Sequence, residues 1–370
     1  MSTLTNSYPP WSPRIWNGMR LGGLWQMLLE HRCRIHPLKW GMTFLGTGCA
    51  GFNSSLRPIQ HLFYDRRIAQ TELVAPPLFI IGHWRSGTTL LHELLTLDDS
   101  VNYPTTLDTF IPNHLLVSRW ALKPLVSMLL PGRRPMDNME LAGNSPQEDD
   151  FALISLGAPT TYRTIAFPID RLTEKLTFDP AELSSEERDR LRTNLDYFYR
   201  TLTYRTPKPL VLKSPPHTAR VSELAAWFPG AKFIHISRNP YKVVPSTVRM
   251  WRTLDETQGF QLARYDDAAM RQFVHRCQQQ LYDAFLPDRD CAGPGNLLEI
   301  QFEQLIADPV EAMRGLLQKL NWSNPEPLLE KVGRYFAARK ELKPSTSTPE
   351  PDICREIDQN WKAYREAFGY

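Results

Sequence analysis

The chain has 370 residues, and its 43 lysine and arginine residues against 40 aspartate and glutamate residues leave a formal net charge of +3. That length accommodates a sizeable core, as one large α/β domain or a domain with a helical extension. The near balance of interspersed charge excludes a general grip on nucleic acid. Five dispersed cysteines without a C-x-x-C pair suit a reducing, cytoplasmic setting better than a disulfide framework, and they imply no metal site.

Residues 1–70 read as an N-terminal helical extension, with helices joined by turns containing proline and glycine. Trp11, Trp16, Trp25 and Trp40 are interleaved there with Arg14, Arg20, Arg32, Arg34 and Lys39. Such a mixture suits peripheral contact with a membrane interface. The simpler reading is a helical arm packed on the main domain. No segment has the apolar length of a transmembrane helix. The sequon at Asn53-Ser54-Ser55 is read as chance, and nothing in the chain sets an oligomeric state.

From Pro76 onward the pattern becomes α/β, so residues 71–370 are expected to form a P-loop-like domain, a three-layer parallel sheet flanked by helices. Short apolar runs predict strands over 78–81, 209–212, 232–237 and 297–301. Helices are predicted over 89–95, 218–227, 242–253, 268–285 and 310–320. A long insertion, 100–205, is rich in proline and aromatics, with helical pieces around 114–130 and 186–203. An insertion of that size is where an acceptor pocket or lid would be built.

The first predicted strand runs into Gly82-His83-Trp84-Arg85-Ser86-Gly87-Thr88-Thr89, ahead of a helix-forming segment. Strand, glycine-bearing turn and helix make up the context of a phosphate-binding loop. Thr88 stands where an ATP- or GTP-cleaving enzyme needs lysine, and the basic group is instead Arg85, inside the loop. Backbone N–H groups and the helix N-terminus can still hold an anion. The second predicted strand leads to Lys213, followed by Ser214-Pro215-Pro216-His217, and the third ends at Arg238. In a parallel sheet all carboxyl ends share one edge, where ligands bind. These bases therefore point to a ligand with more than one anionic group.

Three segments resemble sulfotransferases that use 3′-phosphoadenosine 5′-phosphosulfate (PAPS), most closely a bacterial branch related to the tyrosylprotein enzymes. Arg85-Ser86-Gly87-Thr88-Thr89-Leu90 is similar to the family's 5′-phosphosulfate loop. Arg238, with Ser246 after seven intervening residues, matches its 3′-phosphate motif, and Leu212-Lys213-Ser214-Pro215-Pro216-His217 its lysine-bearing segment. Phe302-Glu303-Gln304-Leu305 with Asp308-Pro309 looks like its late strand-and-turn element. The resemblance implies transfer of a sulfuryl group to a hydroxyl acceptor without a metal. Arg85, Ser86, Gly87, Thr88 and Thr89 would then hold the phosphosulfate, and Arg238 with Ser246 the 3′-phosphate.

Negative charge grows on the leaving oxygen during such a transfer, and Lys213 is the cation expected there. The acceptor must lose a proton to a base. Glu148, in Pro146-Gln147-Glu148-Asp149-Asp150, is the first candidate, with Asp149 in reserve and His217 competing; an acidic helix N-terminus would explain the same carboxylates. His92 is expected to pack behind the loop. Phe110, Leu115, Leu116, Trp120 and Leu130 suggest an apolar small-molecule acceptor, a lipid or glycolipid, or else belong to the core. A P-loop kinase or NTPase, and a non-catalytic nucleotide-binding protein, are the alternatives; Thr88 and the lack of a clear Walker-B aspartate oppose the kinase.

Overall fold

A computed structural model describes residues 8–136, 139–174, 176–339 and 349–370. The elements used below are, in chain order, α1 (Leu21–Glu30), α2 (Trp40–Gln60), β1 (Leu78–Ile81), α3 (Thr88–Leu95), α4 (Leu115–Leu129), β2 (Gly132–Arg133), β3 (Glu140–Leu141), α5 (Asp150–Leu156) and α6 (Ser185–Arg205). They continue with β4 (Val211–Lys213), α7 (Val221–Trp227), β5 (Lys232–Ser237), α8 (Pro240–Gln258), α9 (Asp267–Phe285), β6 (Leu297–Gln301), α10 (Pro309–Lys319), α11 (Glu326–Ala338), α12 (Pro351–Asn360) and α13 (Lys362–Phe368). Two compact units result. One gathers Ala75–Asn102, Lys208–Thr247 and Val274–Tyr370; the other gathers Met1–Val74, Tyr103–Pro207 and Val248–Phe273. The helices of the N-terminal 70 residues thus group with the 100–205 insertion.

The first unit is built on a four-stranded parallel sheet of order β4-β1-β5-β6. All four residues of β1 are buried, as befits a parallel strand covered on both faces. Leu78 and Ile80 face a core made with Leu90, Leu91 and Leu94 of α3, Met313 and Leu317 of α10, and Val332 of α11. Phe79 faces the other way, stacked on Phe233 at 5.4 Å and near Phe228. Helices on both faces make this the expected three-layer α/β fold. β4 starts two residues later than predicted: its register with β1 begins at Val211, and Leu210, though its carbonyl accepts from Leu78 N–H, pairs through an isolated parallel bridge to Asn102. The predicted helix 218–227 is a 3₁₀ turn, Pro215–Arg220, before α7; prolines at its first positions supply no N–H for an α-helical ladder.

The second unit is mostly helical, with a small antiparallel hairpin of β2 and β3. Its interior is tied by polar hubs. Arg171 and Asp255, both fully buried, form a two-pronged ion pair at 2.8 and 2.7 Å. The Arg171 guanidinium also stacks over Trp251 and Phe273 at 4.8 and 4.5 Å. Asn53 donates to the carbonyls of Asn17 and Met19 and accepts from His114, so this sequon asparagine is a buried structural residue. Trp16 is 1% exposed, its Nε1 donating to the Gln258 carbonyl at 2.7 Å, whereas Trp11 is 62% exposed. Leu115 and Leu130 belong to the core, and Trp120 stands on the surface.

Candidate active site

The loop after β1 is held at three points. Gly82 N–H donates to Thr218 Oγ1 at 2.8 Å, Arg238 Nη1 donates to the Arg85 carbonyl at 2.9 Å, and the single proton of the Thr247 hydroxyl is shared between the Val243 carbonyl at 2.8 Å and the Trp84 carbonyl at 3.3 Å. Arg85 adopts φ +66° and Gly87 φ +112°, so left-handed residues flank Ser86. Such alternation turns successive N–H groups toward one concavity that suits an anion. Gly87 has a second requirement: a Cβ there would stand 2.4 Å from the Phe302 ring. Gly87 precedes α3 and offers no side-chain cap, which leaves the first N–H groups of that helix for a ligand. Ser86 Oγ is buried without a hydrogen-bond partner among the described residues. A buried hydroxyl in that state costs free energy unless something bonds to it. The cradle therefore fits a phosphate or sulfate group.

Two arginines meet at the loop, Arg85 within it and Arg238 beside it. Arg85 Nε donates to Ser246 Oγ of α8 at 2.9 Å. The Arg238 guanidinium lies 4.1 Å from the centre of the Phe302 ring. Burial, and then the neighbouring Arg85 charge, lower the pKa of Arg238. Like charges gathered around an unpaired hydroxyl favour an anionic ligand. The C-terminal helices brace this corner: Arg238 N–H donates to the Tyr364 hydroxyl, which donates back to the Arg238 carbonyl. Glu303 accepts from Asn239 N–H and from the Tyr370 hydroxyl. Trp361 packs edge-on against His83 of the loop at 5.0 Å.

Lys213 ends β4, pairs with Ile80 of β1 and is 2% exposed. Because β4, β1 and β5 are adjacent and parallel, Lys213, Arg85 and Arg238 follow neighbouring strands at one sheet edge. His92 lies behind the loop on α3, its Nε2 3.3 Å from the Val211 carbonyl. Burial, aided by the Lys213 charge, pushes the His92 pKa down to about 3, so the ring is neutral at working pH. His217 is fully buried in the 3₁₀ turn, edge-on to Phe79, with Nδ1 3.3 Å from Arg220 Nη1.

Glu148 lies in the other unit, at the approach to α5. It is 9% exposed and accepts a hydrogen bond from the Tyr162 hydroxyl. Asp149 and Asp150 are fully buried, accepting from Tyr199 and from Thr160. Asp149 stands at the N-cap of α5 without a side-chain cap hydrogen bond and Asp150 lies in its first turn, so the acidic helix N-terminus expected as the alternative is present, and it accounts for these two carboxylates as well as a catalytic role would.

The structure brings Arg85, Ser86, Gly87, Thr88, Thr89, Arg238 and Ser246 together in one unit, with Lys213 and His217 on adjoining segments. Arg85 and Ser246, assigned to different ends of a donor, are directly bonded. Sequence reasoning missed Thr218, Thr247 and Tyr364, which hold the loop and the Arg238 turn. No local pattern marks them, since each acts on backbone far away in sequence.

A model of the Sulfotransferase family matches residues 76–326. Across its whole length the chain is 32% identical, over 372 residues, to the omega-hydroxy-beta-dihydromenaquinone-9 sulfotransferases Stf3 of Mycobacterium bovis and Mycobacterium tuberculosis, covering 94% of each. Among solved structures it resembles sulfotransferase STF9 from Mycobacterium avium, with TM-score 0.71, 17% identity and coverage of 96% and 92% of the two chains. Sulfotransferase STF1 from Mycobacterium tuberculosis gives TM-score 0.65 at 15% identity, with 93% and 91% covered. These two likenesses speak for the fold. With the family match and the full-length relatives in hand, the loop that lacks a Walker lysine has its explanation: the chain belongs to the sulfotransferase family.

Proposed function

We propose that this protein moves a sulfuryl group from PAPS to the hydroxyl of an apolar, lipid-like acceptor. The observation that carries the donor assignment is the buried, unpartnered Ser86 hydroxyl beside the bonded set Arg85, Ser246 and Arg238. The loop N–H groups with Arg85, Ser86, Gly87, Thr88 and Thr89 would hold the 5′-phosphosulfate, and Arg238 with Ser246 the 3′-phosphate. PAPS, when bound, supplies the activated sulfuryl group. No Walker lysine is required, because there is no γ-phosphate to stabilise.

Lys213 is suited to neutralise charge on the leaving oxygen. A buried ammonium acts through a low dielectric, where a preplaced charge is worth far more than in water. Glu148 is the proposed base, taking the acceptor's hydroxyl proton on a carboxylate oxygen. Its hydrogen bond from Tyr162 fixes the side chain, and its residual exposure distinguishes it from fully buried Asp149. His217 is less suited. Arg220 can only donate, so it favours an unprotonated Nδ1 and leaves the proton on Nε2. The name of the mycobacterial relatives, which specifies a hydroxylated dihydromenaquinone, supports a hydroxylated lipid-like acceptor for this chain as well. Peripheral membrane contact is part of the same reading.

Thermal denaturation with ligands tests the donor. Adenosine 3′,5′-bisphosphate should raise Tm and ATP–Mg²⁺ should not; the reverse would sink the assignment. With labelled PAPS and a hydroxylated polyprenyl quinone, Glu148→Gln should lower turnover while donor affinity is retained. Unchanged turnover would move the base to Asp149 or His217.

A further inference from the structure

Helix α2 is uncharged on two opposite faces over most of its length. One buries Thr43, Gly46, Ala50 and Asn53. The other carries Phe44 at 70% exposure, Phe52 at 46% and Ile59 at 40%, and continues past the helix end into Leu62 at 76%. Positions 44, 48, 52, 55, 59 and 62 follow the helical period, so these residues form one stripe. Gly48 sits within it, with open space where a side chain would be. No charged residue occurs from Trp40 through Leu56, a length of roughly 25 Å at the helical rise. The outward face of a helix in a soluble protein is normally charged or polar, and a contiguous exposed apolar patch marks an interaction site. Both helices packed on α2 add exposed stripes at helical spacing. They are Leu21, Trp25 and Leu29 on α1, and Trp120 with Met128 on α4.

The charge around these stripes is mostly basic. Residues 1–70 hold eight lysines and arginines against two acidic residues, and residues 111–134 hold four against none, although the whole chain is nearly neutral. Arg20, Arg32, Arg66, Arg67 and Lys123 are exposed. Aromatic and aliphatic side chains rimmed by bases match an anionic bilayer surface, where apolar groups enter the headgroup boundary and bases meet lipid phosphates. A second copy of the same face would set like charges against one another. No helix among the described residues is long and apolar enough to cross a membrane. Insertion would therefore be shallow.

We propose that the outer face of α2, with its flanking stripes on α1 and α4, docks this protein peripherally onto anionic lipid bilayers. This rests on the proposed function only in that a lipid-like acceptor gives docking its purpose. The full chain should co-sediment with phosphatidylcholine vesicles containing about a third phosphatidylglycerol, less with pure phosphatidylcholine, and lose binding as salt rises. The double substitution Phe44→Gln and Leu62→Gln should weaken vesicle binding at least about tenfold, with Tm and the Tm rise given by adenosine 3′,5′-bisphosphate unchanged. Arg66→Glu with Arg67→Glu should abolish the preference for anionic lipid. Absence of vesicle binding, or full binding by the glutamine variant, would overturn the proposal. So would a wild-type dimer in sedimentation that the glutamine variant converts to monomer. Vesicle binding uses no nucleotide, so a missing nucleotide response would count against the donor assignment alone.

Discussion

Replacing Arg238 by methionine separates two jobs that the structure gives one side chain. The guanidinium covers the Phe302 ring at 4.1 Å and donates to the Arg85 carbonyl at 2.9 Å, so it could serve the 3′-phosphate, the loop, or both. Methionine keeps apolar cover on the ring and removes the charge. The folded protein loses a hydrogen bond from a charged donor, worth about 1.5–3 kcal/mol, and a cation–π contact of about 0.5–1 kcal/mol. It also escapes the burial and the Arg85 repulsion that lower the Arg238 pKa. These effects oppose each other, and Tm should fall by only a few degrees.

Binding should respond differently, because a bound phosphate has no substitute for that charge. Loss of one charge-assisted contact, about 1.5–3 kcal/mol, raises Kd for adenosine 3′,5′-bisphosphate by roughly 10- to 150-fold. Adenosine 5′-monophosphate has no 3′-phosphate, so its Kd should barely change. Calorimetric titration of both nucleotides into both proteins reads this directly. Equal weakening of the two ligands would refute the assignment and make Arg238 a brace for the loop.

Gly87→Ala should destabilise the protein by about 2–3 kcal/mol, from the positive φ and the close approach of Phe302. It should also remove the Tm response to adenosine 3′,5′-bisphosphate; an intact response would show that the loop tolerates a Cβ. Asp255→Ala leaves Arg171 buried without its counter-charge and should cost about 3–5 kcal/mol in urea unfolding, whereas a loss below about 1 kcal/mol would mean that Arg171 finds solvent. Burial pushes His83 and His114 down to about 4, and His92 and His235 to about 3. These rings fold neutral, while the unfolded chain takes up protons near its ordinary value. Their stabilisation is complete above about pH 6.5 and is lost as pH falls toward 4 and then 3, by about 1.4 kcal/mol per pH unit for each titrating histidine. Equal urea midpoints at neutral and mildly acid pH would contradict this.

What could be read from the sequence was what local patterning controls. The strand at 78–81 was found because a buried parallel strand is uniformly apolar, and strand 232–237 because its short, largely apolar run is bounded by glycine and polar residues. Arg85, Lys213 and Arg238 were found because chain direction alone places strand ends at one edge. The four N-terminal tryptophans show where this reasoning stops. Trp16 and Trp11 have similar neighbours in sequence, yet Trp16 is in the core and Trp11 is exposed. The difference lies in Phe260 and Gln258, more than 200 residues away, which receive the Trp16 ring. The C-terminal brace was invisible for the same reason, since Tyr364 acts by meeting the Arg238 backbone.

The absent Walker lysine gains a spatial reason from the same contacts. Thr88 is 3% exposed in the first turn of α3, and a lysine there would have to thread its stem out of a packed position. Arg85 holds its cation in the loop at φ +66°, a conformation costly for a residue with a Cβ. Arg238 captures its carbonyl and Ser246 its Nε, so the chain stabilises that backbone from the end of the neighbouring strand and from α8. The cation therefore approaches from the sheet edge, next to the second arginine, instead of rising from the helix. A loop made this way couples two arginines before any ligand arrives. Under the proposed assignment, a donor with two separate anionic groups would exploit that coupling, and a nucleoside triphosphate with a single polyphosphate chain would not.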